Sequence, residues 1–382
     1  MNSFNPNRLN EARIYRKMTM EQLATEVGIN KQAISQFENG KTQPEFNTLN
    51  SLSKTLNFPL NFFFESDSNE TNTGNTYFRS LFSSNKMDMK SQRIKAKYVA
   101  IIKNCLSEYI DFPQLNLPSF YNNDIEIFSR QVRDYWGLGQ EPINDMVLLL
   151  ERSGVVVSEF STEGKKIDAF YQYGEFLGNE YFCVILGTDK LTFSRRQFNA
   201  AHELGHILMH EKLNDLDDID RDEYKRREDE ANKFASAFLL PKDAFLEDVM
   251  RYGNRLNYYV ELKRKWKVSI SSMIMRAYDL GAINPNQYQY LMKQMSRNGW
   301  RTQEPLDDIL IIKHPKAIKQ AVNMLIMNNI LAPKQIFKQF SKYGFSFSKD
   351  VVDEVLSLEP DVLHEEVESD NIIKLVQFPQ RF

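Results

Sequence analysis

Residues Ala200-Ala201-His202-Glu203-Leu204-Gly205-His206 spell H-E-x-x-H, and His210 follows one turn later. Three of the chain's five histidines therefore fall within nine residues, on one predicted helix. Residues four apart on an α-helix share a face, separated by about 6 Å of rise. Two imidazoles held in this way can reach one metal ion. Glu203 projects from the same turn, where it can take a proton from a water at an open coordination position. Two nitrogen ligands, one open position and one general base make up the zinc metallopeptidase arrangement. The motif is short, so a structural zinc or a pair of solvated surface histidines fits it as well. Its flanks favour a buried helix, being apolar or small at Phe198, Ala200, Ala201, Leu204, Ile207 and Leu208. Gly205 costs the helix roughly 1 kcal/mol against alanine. It lies on the histidine face, and without a Cβ it would let another element approach.

A third ligand is expected downstream. From Arg227 to Pro241, the residues Ala231, Phe234, Ala235, Phe238 and Leu239 recur at helical spacing, and Pro241 closes the helix. Glu228 projects within about 60° of the centre of this apolar stripe and Glu230 roughly 100° from it. A carboxylate aimed into an apolar face needs a partner. A metal is one, and an arginine such as Arg195, Arg196 or Arg227 is another. Glu228 is the expected ligand, with Glu230 in reserve. Asn232, one turn beyond, could orient a ligating histidine. His210 lies two turns from His202, out of reach of an ion between His202 and His206. It is read as supporting a ligand or as exposed.

The amino-terminal part carries a second signal. Thr19 opens a helix with Leu23, Ala24 and Val27 on its apolar face, and Gly28 ends it. Asn30 caps a second helix, Lys31 to Glu38, which stops at Asn39-Gly40. A further helix follows, with Leu49, Leu52 and Leu56 on one face. Two short helices joined by a glycine-containing turn make a helix-turn-helix. Its second helix offers Lys31, Gln32, Ser35 and Gln36 to base edges in a major groove. Asn39 and Lys41 lie where phosphate contacts would position the protein. The electrostatic footprint is weak, with seven Lys and Arg against six Glu over residues 1–65.

The segment LATEVGINKQAISQFENGKTQP resembles the Xre/Cro-type helix-turn-helix of phage repressors, departing at Met20, where many members carry glutamine. The stretches IDAFYQYGEFLGNEYFCVIL, FSRRQFNAAHELGHILMH and EDEANKFASAFLLP resemble the ImmA/IrrE family of metallopeptidases. WKVSISSMIMRAYDLGAI and NGWRTQEP are similar to that family's helical closing segment. The resemblance implies zinc ligands at His202, His206 and Glu228 and a base at Glu203.

The expected organisation is multidomain. An all-α helix-turn-helix domain over 1–65 is followed by a polar linker over 66–76. An α+β zincin-like metallopeptidase domain spans 77–305, and a helical carboxy-terminal module of unknown role spans 306–382. Within the second domain, Tyr77 to Tyr109 reads as helix. Strands are expected at Val155–Val157, near Asp168–Tyr171 and at Phe182–Leu186. The acidic run Asp215 to Asp222 reads as a solvated loop. His314 and His364 read as surface histidines, and Trp266 and Trp300 as core. The widely spaced Cys105 and Cys183 suggest a reducing compartment. No apolar run is long enough for a membrane span, so a cytoplasmic protein is expected.

Two function classes fit these features. One is a DNA-binding regulator, a homodimer on a double-stranded operator, whose Zn2+-dependent endopeptidase cuts a repressor or regulatory partner on a signal. The other is a non-catalytic transcription factor or antitoxin-like defence regulator, with the peptidase fold serving to sense a peptide or ligand. Three good ligands and an intact base favour the first, because structural zinc sites are usually closed by four protein ligands.

Overall fold

The computed structural model describes residues 3–66, 71–78, 85–162, 168–189, 192–210, 220–359 and 362–363, with backbone only over 71–78. His364, most of the acidic run 215–222 and the chain's last residues lie outside the described residues.

The amino-terminal helices are α1 (Pro6–Tyr15), α2 (Met20–Val27), α3 (Lys31–Glu38) and α4 (Phe46–Leu56), followed by a 3-10 turn at Leu60–Phe64. Their boundaries follow local chemistry. Thr19 and Gln22 form a reciprocal capping box at the start of α2, and Gly28 ends that helix at φ 77°. The Asn30 side chain accepts from the Ala33 N–H to start α3.

Strand β1 (Thr71–Phe78) and the long helix α5 (Lys86–Leu106) come next. The 71–76 part of the expected linker is thus an edge strand, and the helix expected from Tyr77 begins at Lys86. Helices α6 (Ile125–Tyr135) and α7 (Met146–Arg152) lead into β2 (Val156–Phe160), β3 (Ala169–Phe176) and β4 (Asn179–Gly187). The sheet order is β1-β3-β4-β2, with β3 antiparallel to both neighbours and β2 parallel to β4. Then come α8 (Phe193–Met209), α9 (Arg221–Leu239), α10 (Lys242–Tyr252), α11 (Tyr258–Trp266), α12 (Ile270–Asp279) and α13 (Pro285–Arg297). The chain continues through α14 (Ala317–Met327), α15 (Pro333–Lys342) and α16 (Lys349–Leu356).

Both faces of the sheet are covered, so strands β2 to β4 carry apolar side chains on both sides. On one face, Tyr171, Tyr173, Phe182, Val184 and Leu186 pack with α8, α9 and the helices that follow, Trp266 included. On the other, Phe170, Phe176, Tyr181, Cys183 and Ile185 share a core with α5, the amino-terminal helices and α14 to α16. The helix-turn-helix is therefore built into the main body. The carboxy-terminal helices, readable as helices in the sequence, are the elements that cover it. Arg8 is 1% exposed, with its guanidinium 4.2 Å from the Phe345 ring centroid and its Nη2 donating to the Gly344 carbonyl. Among the described residues, no helix is long and apolar enough to cross a membrane.

Candidate metal centre and nucleic-acid interface

Helix α8 is fixed along its length. The Thr192 hydroxyl caps it by accepting from the Arg195 N–H. Gln197 donates to the Ile143 carbonyl at 2.8 Å and accepts from the Met146 N–H at 2.7 Å, tying α8 to the start of α7. Arg196 meets Glu159 of β2 at 2.5 Å, and both side chains are buried. The next turns carry His202 and His206, which are fully buried, and Glu203, which is 1% exposed.

Gly205 sets the approach of α9. A Cβ there would lie 3.0 Å from Phe234 Cδ1 and 3.3 Å from the Ala231 backbone. The close approach expected of a glycine on the histidine face is present, and α9 is the element that makes it. At this distance α9 delivers Glu228 to the histidines, with carboxylate oxygens 3.3 Å from His206 Nε2 and 3.6 Å from His202 Nε2. The two Nε2 atoms are 3.0 Å apart. One ligand atom from each of the three residues lies within 4.8 Å of the others. Glu230 points elsewhere, 3.2 Å from His210 Nε2 and 2.5 Å from Arg226 Nη1. Asn232 is half-buried, and the hydrogen-bond partner of His206 Nδ1 is His210 Nδ1, 2.9 Å away.

The protonation states suit a cation. Burial lowers the His206 pKa well below the usual histidine value, with neighbouring His202 and His210 adding to that and Glu228 only partly opposing it. Burial would raise the Glu228 carboxyl, but the two imidazoles beside it outweigh burial and hold it at about 2. A neutral imidazole and an ionised carboxylate are the forms that ligate metal. Two nitrogens and one oxygen converging in a buried pocket fit a zinc ion with three protein ligands and one open position.

Tyr171 of β3 joins this site without having been singled out in the sequence. Its ring stacks on His206, with centroids 6.2 Å apart and planes 26° apart. Burial and the nearby Glu203 carboxylate push its pKa far above that of an ordinary phenol, so the hydroxyl stays protonated. The available signal was strand parity, since Ala169, Tyr171 and Tyr173 alternate toward α8.

At the other end, α3 turns Ile34 and Phe37 inward. Of the residues expected to contact DNA, Lys31, Gln32, Gln36, Asn39 and Lys41 are exposed and Ser35 is half-buried. Lys31 lies 3.6 Å from Glu21, and Asn39 Nδ2 donates to the Ser35 carbonyl at 2.7 Å. The helix is held from behind by Glu38. Its carboxylate accepts from Arg13 Nε at 2.5 Å, Arg13 Nη2 at 2.8 Å and Asn10 Nδ2 at 2.7 Å.

Residues 7–65 match the family profile of a helix-turn-helix domain, and residues 150–278 match the IrrE N-terminal-like domain of a peptidase family. The chain thus joins a helix-turn-helix domain to an IrrE N-terminal-like peptidase domain. No curated protein matches it.

Proposed function

We propose that this protein is a DNA-binding transcriptional regulator whose peptidase domain is a zinc-dependent endopeptidase acting on a regulatory protein, a repressor or partner, in response to a signal. The observation that carries the reading is the convergence of His202, His206 and Glu228, with Glu203 buried on the turn between the two histidines. These three would hold the ion. Bound there, zinc would lower the pKa of a water toward about 7 and polarise a scissile carbonyl. Glu203 takes the proton from the attacking water and delivers it to the departing amine. Tyr171 packs against His206 and keeps water from one side of the imidazole. Glu228, held against the ion, would supply negative charge and leave the role of base to Glu203.

Through α3, Lys31, Gln32, Ser35 and Gln36 face base edges and Asn39 and Lys41 face phosphates of a double-stranded operator. A homodimer would set two copies of α3 on half-sites about one helical turn apart. The cytoplasm suits both DNA and two buried, unbridged cysteines.

Glu203→Gln tests the enzymatic half. The substitution is nearly isosteric and leaves the three proposed ligands in place. Wild type and variant are expressed beside proteins encoded near the gene, with and without stress, and fragments are sought by mass spectrometry. The variant should keep zinc and operator binding and lose cleavage by roughly 10²-fold or more. Regulation that is identical in both, with no partner ever cut, would leave a sensing module in place of a protease.

A further inference from the structure

The last residue to leave α8 turns back onto the candidate metal centre. Helix α8 ends at Met209, and His210 has an extended backbone at φ −114° and ψ 148°. Its N–H still donates to the His206 carbonyl at 3.1 Å, so its ring folds against that of His206, with centroids 4.9 Å apart. The side chain is 4% exposed. A buried imidazole needs partners for both nitrogens. His210 Nδ1 lies 2.9 Å from His206 Nδ1, and His210 Nε2 lies 3.2 Å from Glu230 Oε2. The other oxygen of Glu230 accepts from Arg226 Nη1 at 2.5 Å.

These contacts have a direction. His206 Nε2 faces Glu228 and His202, so a metal would need the lone pair on that nitrogen. The His206 proton then sits on Nδ1 and is donated to His210 Nδ1. With Nδ1 accepting, His210 carries its own proton on Nε2 and donates it to Glu230. Arg226 anchors the carboxylate. The opposite order would place a proton on His206 Nε2 and close the nitrogen to a metal.

We propose that His210 is a positioning residue for the metal centre: with Glu230 and Arg226 behind it, it fixes the tautomer and ring plane of His206. This rests on the zinc reading above. It assigns Glu230 the supporting end of the chain and leaves ligation to Glu228. Groups hydrogen bonded behind a ligating histidine commonly change metal affinity by about 10- to 100-fold.

The test uses the full-length chain, zinc in competition with a chromophoric chelator, and the visible spectrum of the cobalt-substituted protein. His210→Ala should weaken zinc by about 10- to 100-fold and shift the cobalt bands. His210→Asn keeps an acceptor near the Nδ1 position and should recover part of the affinity. Glu230→Gln, at a partly exposed position, should give a smaller loss in the same direction, and it carries the test if His210→Ala does not fold. Zinc affinity and cobalt spectra unchanged in both His210→Ala and Glu230→Gln would overturn the proposal while leaving the zinc site standing. A wild-type chain that binds neither metal would overturn the zinc site itself, and this proposal with it.

Discussion

The Tyr15 hydroxyl of α1 donates to the Glu354 carboxylate of α16 at 2.5 Å, across 339 residues of chain. The other oxygen of Glu354 accepts from Lys95 Nζ of α5 at 2.5 Å, and the Lys95 side chain is 2% exposed. One carboxylate thus joins the helix-turn-helix, the long central helix and the carboxy-terminal segment. Nearby, Arg16 meets Asp350 at 2.6 Å, and the Glu65 side chain accepts from the Ser346 N–H at 2.9 Å.

Glu354→Ala leaves a buried ammonium and a buried phenol without their shared acceptor. The expected cost is roughly 2–4 kcal/mol, read as a lower urea midpoint for the whole chain. Adding Lys95→Met should recover part of the loss, because the unpaired charge is the larger penalty. A midpoint unmoved by Glu354→Ala would show that the carboxy-terminal segment does not hold the reading domain.

Gly205→Val should push α9 away from α8. The new side chain would meet Phe234 and the Ala231 backbone, at a cost of about 1–3 kcal/mol for overpacking. Because Glu228 rides on α9, zinc affinity should fall along with stability. Gly205→Ala should be milder, since the gain in helix propensity of roughly 1 kcal/mol offsets part of the strain. Titration of both variants with zinc, alongside their thermal unfolding, separates the two effects.

Glu159 provides a pH test remote from the ligands. Burial would raise its carboxyl, but the Arg196 guanidinium and His314 outweigh burial and hold it below the ordinary carboxylate value. With the folded pKa below the unfolded one, its stabilisation is present above the unfolded value and is lost as pH falls through the folded one. Wild type should therefore exceed Glu159→Gln in unfolding free energy near about pH 7, and the gap should narrow progressively as pH falls below the ordinary carboxylate range. A constant gap across that range would mean that the carboxylate charge is not what stabilises the pair.

Changing Gln32 and Gln36 together to Ala should relax base preference at a few operator positions, by about 1–3 kcal/mol for each bidentate glutamine–base pairing removed. Lys41→Ala should weaken all sequences evenly and flatten the salt dependence by about one phosphate. Binding-site selection from a random duplex pool, followed by salt titration, distinguishes these outcomes. An unchanged preference in the double glutamine variant would move the reading surface away from α3.

The placement of His202, Glu203 and His206 was legible because they are local, on one helix with a 3.6-residue period. The choice between Glu228 and Glu230 was only half legible. Helical geometry gives the direction of a side chain but not the partner waiting there, and His210 and Arg226 engage Glu230. Strand β1 was missed for a different reason. Thr71-Asn72-Thr73-Gly74-Asn75 has no apolar alternation, and an edge strand can be specified by backbone pairing to its neighbour alone. The weak electrostatic footprint read from the charge count over 1–65 holds for the exposed cations too. Arg8 and Arg13 are buried, and Arg16 is bound to Asp350, so the exposed cations of this region are fewer than its composition suggests. Periodicity marked α14 to α16 as helices, but only the tertiary arrangement shows what they cover.

The position of α16 at the end of the described chain has a consequence for synthesis. At roughly 5–20 residues per second, a ribosome takes about 15–60 s to travel from the helix-turn-helix to α16. Throughout that interval the face of α1 bearing Arg8 and Tyr15 lacks Phe345 and Glu354. A product of premature termination would carry the reading helix on a domain whose aromatic flank stays bare. The flank closes only once α16 has emerged, so the contact that joins α1 to the carboxy-terminal helices forms after the central sheet and its helices have been made.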